Sequence, residues 1–150
     1  MKLKSIFACI VVVLGALSMV SCIKEQPGME LQVGDFLPDF EVVLNDGTTI
    51  TGEQLRQVPS CVVFFHTSCP DCQQALPLLQ RIYDEFADSL AIVLISRQQP
   101  EDEISAYWAD QGFTMPYSAQ LTREIYELFA QERVPRIYLS PAGGQIQAIF

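Results

Sequence analysis

The sequence predicts an α/β fold in which a mixed central sheet carries helices on both faces. Segments 61–67 and 90–96 are apolar on both faces, as is typical of central, fully buried strands. From residue 70 an amphipathic pattern begins, with apolar residues at spacings of three and four. Strands that alternate with helices in this way favour a sheet covered on both sides.

The first half of the chain contains a hairpin, two strands and a long helix. Segment 39–55 reads as an N-terminal β-hairpin extension with its turn at Asp46-Gly47. The helix begins at Pro70, where a proline costs no hydrogen bond, and Pro77 should bend it. The residues expected on its apolar face are Ala75, Leu76, Leu79, Ile82, Tyr83 and Phe86.

The second half predicts two further helices and a second hairpin. Pro100 and three acids mark the start of one helix, in which Trp108 is expected in the core, and Thr122 is the expected N-cap of the next. Segments 136–140 and 145–150 flank a turn and form the hairpin. A sheet of this kind is expected to have a C-terminal helix, which is missing from the sequence. Either the sequence is a fragment, or something else covers that face.

The composition fits a single acidic globular domain. The chain has 150 residues, 49% of them hydrophobic and 18% charged, with a net charge of −9. A protein that binds nucleic acid needs a basic surface, so we expect no nucleic-acid partner.

The N-terminus resembles the signal sequence of bacterial lipoproteins. Lys2 and Lys4 precede an apolar run that is short for a membrane span and ends at Ser21-Cys22. We therefore expect a signal peptide at 1–21, a lipid on Cys22, a tether over 22–33 and the folded domain at 34–150. The protein would be lipid-anchored in a bacterial cell envelope, facing the periplasm or exposed at the surface. The alternative is an ordinary signal peptide with a chance cysteine.

Removal of the signal peptide would leave three thiols in the folded domain, at Cys61, Cys69 and Cys72. Three thiols make one pair and a leftover rather than a disulfide framework. Cys61 lies in an apolar strand, where a free cysteine behaves as a small hydrophobe. A structural zinc site would need four ligands, and His66 and Cys61 are the other candidates, so we expect neither a metal nor a cofactor.

The pair at Cys69 and Cys72 fits redox chemistry. It lies where a strand gives way to a helix, so Cys69 is at the helix N-terminus, where unpaired N–H groups and the helix dipole favour a thiolate. Cys72 lies about one turn further on and can reach back. Cys69 can then attack a partner disulfide, and Cys72 can resolve the mixed disulfide.

From Gly34 to Phe150 the chain resembles the thioredoxin-like family, and specifically the TlpA/ResA-type membrane-anchored thiol–disulfide oxidoreductases. The matching features are Gly34, Pro38-Asp39-Phe40, Asp46-Gly47, "FFHTSCPDC", Pro77, "VPRIYLS" and the Gly143-Gly144 turn. The resemblance implies that Pro135 is cis and faces the cysteine pair, and that the backbone of Val134 pairs with substrate. It also implies reduction of disulfides in exported proteins, with electrons from an upstream membrane donor.

The sequence departs from the family pattern near the thiols. Ser68 replaces the usual tryptophan, and Ala75 and Val63 stand where relatives carry an acid that helps to move the proton of the second thiol. Asp71 is expected to be exposed, and it is one candidate for moving the proton of Cys72. Its negative charge should raise the pKa of both thiols and so oppose the helix N-terminus, which favours the thiolate. Arg136 either brings positive charge to the site or is simply solvated.

The same fold could also support two other functions. A copper-binding or cytochrome-maturation accessory would typically use C-x-x-x-C with a distant histidine, whereas this chain has C-x-x-C and a single His66. A peroxidase of the peroxiredoxin type would need P-x-x-x-T-x-x-C, and Val62 and His66 occupy its first two defined positions. The resemblance thus favours the oxidoreductase.

Overall fold

The computed structural model describes residues 30–150, so the predicted signal peptide, Cys22 and most of the tether lie outside the described residues. Seven strands are present in the described part: β1 (Glu41–Val43), β2 (Thr49–Thr51), β3 (Ser60–Phe65), β4 (Ala91–Ser96), β5 (Tyr117–Ser118), β6 (Arg136–Ser140) and β7 (Ala148–Ile149). Its helices are α1 (Gly52–Gln57), α2 (Pro70–Phe86), α3 (Glu101–Gln111) and α4 (Glu124–Glu127).

The main sheet has five strands in the order β5-β4-β3-β6-β7. β3 pairs in parallel with β4 and antiparallel with β6, which makes the sheet mixed, as predicted. All six residues of β3 are buried, because this central strand is covered on both faces. The predicted C-terminal hairpin is confirmed by the antiparallel pairing of β6 with β7.

Side chains of β3 alternate between two hydrophobic cores. Val62 and Phe64 point into the core that contains Tyr126 and Phe129, whereas the intervening residues point into the core around α2 and α3. Phe64 is fully buried, and its ring lies 4.8 Å from that of Phe129. Its replacement by alanine should cost about 3–5 kcal/mol. Helices on both faces were therefore predicted correctly.

The second core confirms two sequence predictions. Trp108 is 5% exposed, and its indole N–H donates to the Met115 carbonyl oxygen at 2.8 Å. Cys61 is buried in the same core as a free thiol. On α2, Leu76 and Leu79 are buried as expected.

The buried face of α2 is narrower than the apolar face that the sequence predicts. Ile82 and Phe86, which were expected on the apolar face, are 40% and 43% exposed. Leu78, which was not expected there, is 51% exposed. These three side chains lie outside the line along which α2 packs on the sheet. Pro77 lies inside the helix, which runs without a break from Pro70 to Phe86.

The N-terminal hairpin has the predicted turn. β1 and β2 pair antiparallel, and Gly47 has a φ of 84°, a left-handed conformation that favours glycine. The Thr48 N–H donates to Asp46 Oδ1 at 2.8 Å, and this hydrogen bond lowers the pKa of Asp46.

Three local elements differ from the prediction. Helix α1 begins directly after the hairpin at a capping box between Thr51 and Gln54, which the prediction had included in the hairpin. The two-residue strand β5 was not predicted, since it is too short to show a periodic pattern. Thr122 is not an N-cap: α4 is one turn long and has Arg123 at its N-cap, without a side-chain capping hydrogen bond. The Arg123 side chain instead donates to the Gln131 carbonyl oxygen at 2.6 Å.

The last residue of the chain extends the hairpin. Phe150 exchanges backbone hydrogen bonds of 2.9 and 3.0 Å with Ile137, and its side chain is 68% exposed. Across residues 30–150, none of the helices has the length and apolar character needed to cross a membrane.

Candidate active site

Cys69 and Cys72 lie where β3 connects to α2. Cys69 is the N-cap of α2, and Pro70 is the first helical residue, so the loss of a backbone donor costs nothing. The Cys69 N–H donates to the His66 carbonyl oxygen at 3.1 Å, and the Cys69 carbonyl accepts from Gln73 N–H at 2.9 Å. The strand end and the first helical turn therefore fix the backbone of the motif.

The two thiols have different environments. Cys69 is half-buried and Cys72 is fully buried, and neither forms a disulfide. Burial raises the pKa of Cys72 to about 12, and the neighbouring Cys69 and Asp71 contribute in the same direction. Asp71 is exposed, as predicted. One thiol is thus accessible, whereas the other is held protonated beneath it.

A proline loop faces the accessible thiol. The Val134–Pro135 peptide bond is cis, as the resemblance implied. The Cys69 thiol donates to the Val134 carbonyl oxygen at 3.3 Å, although 65 residues separate the two in the chain. The preceding residue, Arg133, has a φ of 73°, and its carbonyl oxygen accepts from the Tyr126 hydroxyl at 2.6 Å.

A buried glutamine supports the segment before Cys69. Gln99 is 2% exposed, and its Oε1 accepts from the Thr67 N–H at 2.9 Å. Its Nε2 donates to Thr67 Oγ1 and to Glu103 Oε2. Gln73 Nε2 donates to the Thr67 carbonyl oxygen at 2.9 Å, so three polar groups of Thr67 are bound. Sequence reasoning missed this role of Gln99.

A cleft of about 460 Å³ opens beside Cys69. Besides the thiol and the proline loop, it is lined by two arginines, Arg97 and Arg133, that the sequence analysis had not singled out. The complete lining is His66, Ser68, Cys69, Asp71, Arg97, Arg133, Val134 and Pro135. The cleft therefore offers an accessible thiol together with positive charge.

Arg136 neither brings positive charge to the site nor is simply solvated, which were the two expectations from the sequence. It forms an ion pair with Glu30 and is not part of the cleft lining. The first residue of β6 points away because Pro135 and Arg136 are neighbours in an extended segment, in which successive side chains alternate in direction.

His66 lies at the mouth of the site and is bound locally. Its Nδ1 accepts from the Ser68 N–H at 3.2 Å and lies 2.9 Å from the Ser68 hydroxyl. Within residues 30–150, no three or more His, Cys, Asp or Glu side chains are grouped so that they could hold a metal ion.

The arrangement suits reversible exchange between thiols and disulfides. An accessible thiol at a helix N-terminus, with a second thiol beneath it, can open a disulfide in a partner and then close one within the motif. Together with its thioredoxin-like fold, this defines the protein as a thiol–disulfide oxidoreductase.

The chain belongs to the AhpC/TSA family, whose sequence profile matches residues 33–149. The thiol-disulfide oxidoreductase YkuV of Bacillus subtilis is 27% identical over 104 residues, which are 65% of this chain and 70% of that protein.

Solved structures show the same fold. A candidate protein disulfide isomerase from Bacteroides thetaiotaomicron superposes with a TM-score of 0.75 at 24% identity, over 81% of this chain and 82% of that one. The thioredoxin domain of a thiol-disulfide oxidoreductase from Bacteroides vulgatus superposes with a TM-score of 0.70 at 19% identity, over 80% and 89% of the two chains.

Proposed function

We propose that the protein is a membrane-anchored reductase for disulfides in exported proteins, with Cys69 as the nucleophile and Cys72 as the resolving thiol. The observation that carries this proposal is the difference between the two thiols. Cys69 opens onto the cleft, whereas Cys72 is buried with a pKa raised to about 12. A substrate disulfide can therefore reach the first sulfur and not the second.

The reaction proceeds in two exchanges. The Cys69 thiolate attacks one substrate sulfur, the substrate S–S bond breaks, and the other substrate sulfur leaves as a thiolate that takes up a proton. Cys72 then loses its proton and attacks the Cys69 sulfur, which releases the second substrate thiol. The substrate gains two electrons and two protons in all, and the enzyme holds a Cys69–Cys72 disulfide until a donor reduces it.

The proline loop supplies the binding edge for substrate. The Val134 carbonyl oxygen lies 3.3 Å from the Cys69 sulfur, so an extended substrate segment that pairs with this backbone brings its disulfide to the nucleophile. Pro135 lines the same cleft and shapes it beside the thiol. Val134 and Pro135 are thus the proposed substrate-binding residues.

The N-terminal sequence supports the proposed setting of the reaction. A lipid on Cys22, with residues 23–33 as tether, would hold the acidic domain at the membrane of a bacterial cell envelope, facing the periplasm or the surface. Electrons would then come from a membrane donor upstream. In a bacterial host grown with a labelled fatty acid, the protein should incorporate the label, and replacement of Cys22 by alanine should abolish the incorporation. Labelling of this variant equal to that of the unchanged protein would refute the lipid anchor.

The test of the reaction is a redox titration of the reduced domain across glutathione ratios, with free thiols counted by mass spectrometry. A reversible two-thiol couple near the potential of thioredoxin, about −270 mV, supports a reductase. A much higher potential would make the same site an oxidant. Cys69→Ser and Cys72→Ser should abolish the couple, and Cys61→Ser is the matched control that should keep it. Absence of a Cys69–Cys72 disulfide at every ratio would overturn the proposal.

A further inference from the structure

The arginines of the domain are distributed unevenly. All three lysines of the chain precede residue 30, so the six arginines are the basic residues of the described part besides His66. Three of them form ion pairs with carboxylates: Arg56 with Asp39, Arg123 with Glu127, and Arg136 with Glu30. Arg81 lies on the exposed side of α2. The remaining two, Arg97 and Arg133, both line the cleft beside Cys69.

Neither cleft arginine has a carboxylate partner among residues 30–150. The chain has 18 acidic residues and a net charge of −9, and none of these acids pairs with the two arginines of the cleft in the described part. Asp71 is the one acid in the cleft lining, and it is exposed without an ion pair. The two arginines and Asp71 together contribute one net positive charge to the cleft.

One buried side chain connects both arginines. Tyr126 is 1% exposed, and the Arg97 guanidinium carbon lies 5.8 Å from the centre of its ring. The Tyr126 hydroxyl donates to the Arg133 carbonyl oxygen at 2.6 Å. Tyr126 therefore fixes the Arg97 guanidinium and the backbone of Arg133 at one wall of the cleft, and the Arg133 side chain is exposed there.

The backbone conformation of Arg133 is a second indication that this wall of the cleft is part of a functional site. Its φ of 73° is a left-handed conformation in which glycine or asparagine would be less strained. A non-glycine residue in this region is strained, and such residues cluster at functional sites. Glycine at this position would relieve the strain but would lose the guanidinium.

We infer that this cleft recognises disulfides flanked by a carboxylate, which Arg97 and Arg133 bind while Cys69 attacks the adjacent sulfur. The planar guanidinium matches a carboxylate with two parallel hydrogen bonds, which a neutral side chain cannot reproduce. The inference rests on the proposed function and adds a substrate class to it. The carboxylate could belong to an acidic segment of a protein or to a small acidic disulfide, and both present the same chemistry.

The experiment uses matched peptide disulfides that carry either Glu or Gln on both sides of the cysteine, with exchange followed by mass spectrometry at low salt. Because an exposed guanidinium–carboxylate contact is weak, we expect a preference for the Glu peptide of about fivefold in kcat/KM, decreasing as salt is added. Arg97→Gln and Arg133→Gln should bring the Glu-to-Gln ratio close to one. Arg81→Gln makes the same charge change away from the cleft and should keep the preference.

Further measurements separate the alternatives. Arg97→Lys and Arg133→Lys retain the charge and should recover part of the preference, and thermal unfolding of each variant verifies that it folds. Oxidised glutathione against neutral hydroxyethyl disulfide tells whether a small acidic disulfide suffices or an acidic peptide is required. Equal rates for the two peptides, or a preference that survives loss of both arginines, would overturn the inference. No exchange with either peptide would instead refute the proposed function.

Discussion

Gln99 offers a sharp test of how the fold positions the nucleophile. It lies in the loop between β4 and α3, is 2% exposed, and binds both the N–H and the hydroxyl of Thr67, two residues before Cys69. Gln99→Leu keeps most of the side-chain volume and removes these bonds. Gln98→Leu is the matched control, because its neighbour Gln98 is exposed.

The magnitude follows from the groups left without partners. Thr67 is 7% exposed, so its N–H and its hydroxyl would both become buried and unsatisfied. Each such group costs about 1–3 kcal/mol, so we expect Gln99→Leu to lower the free energy of unfolding by about 2–6 kcal/mol. Gln98→Leu should change it by less than about 0.5 kcal/mol.

The kinetic effect should exceed what unfolding alone explains. The segment from Thr67 to Cys69 sets where the sulfur lies, and a displacement of about 1 Å at a reacting atom can cost up to a hundredfold in rate. We expect disulfide exchange by Gln99→Leu to slow by about tenfold or more at a temperature where the variant is fully folded. The readouts are urea unfolding and the rate of single-turnover exchange with a peptide disulfide.

A double-mutant cycle decides whether the Thr67 contact is responsible. Thr67→Val removes the hydroxyl that Gln99 binds, so the combined variant should lose less stability than the sum of the two single changes. Strict additivity would show that the two side chains do not act together. Stability and exchange rate of Gln99→Leu equal to those of Gln98→Leu would refute the reasoning as a whole.

Three further predictions concern the thiols and one close backbone contact. Once a chromogenic thiol is attached to Cys69, its release by Cys72 should accelerate about tenfold per pH unit between about pH 6 and 8, because burial, the largest cause of the raised pKa of Cys72, persists in the mixed disulfide and keeps that pKa above this range. Asp71→Asn should speed release at fixed pH, and a rate independent of pH would contradict the assignment. The contribution of Cys61 and Cys72 to the free energy of unfolding of the reduced protein should be constant below about pH 8 and fall from about pH 9 to 12, since burial raises the pKa of both thiols from 9.0 to about 12 and the folded state keeps protons that the unfolded state loses. Urea unfolding of Cys61→Ala at pH 7 and pH 10 should show a smaller fall, and an equal fall would show that this thiol is not responsible. Gly52→Ala should destabilise by about 1–3 kcal/mol in thermal unfolding, because its Cβ would press against the Pro38 carbonyl oxygen, and an unchanged melting temperature would mean that this turn shifts freely.

The sequence predicted the elements with strong periodic or terminal features. β3 and β4 are continuous apolar runs, and the amphipathic pattern from Pro70 gives α2 its start and length. Those features depend on local residue spacing, which a single sequence contains. The short elements α1, β5 and α4 have six residues or fewer, so neighbouring contacts decide them rather than periodicity.

The site was predictable in its cysteines and in Pro135, and not in its arginines. The cysteines form a recognisable spacing, and the resemblance supplied the proline. Arg97 could have been found from topology, since it follows β4, whose last residue pairs with the last residue of the parallel strand β3. Carboxyl ends of parallel strands meet at one edge of a sheet, which brings Arg97 beside the Cys69 loop. Arg133 could have been noticed as the neighbour of Val134-Pro135, but nothing in the sequence indicates that it lines the cleft.

The environment of Cys72 bears on how the two exchange steps keep their order. Among residues 30–150 the buried polar side chains are serines, Thr67 and Gln99, so no buried carboxyl group is present to take the proton of Cys72. Burial is the largest cause of its raised pKa, but the hydrogen bond and the charge of Cys69 add to it. When Cys69 becomes part of a mixed disulfide, its sulfur carries no charge, and this addition disappears. The pKa of Cys72 therefore falls at the stage when Cys72 must react, whereas before substrate binds the same thiol stays protonated. The order of attack can thus arise from the interaction between the two sulfurs, without an acid at position 63 or 75.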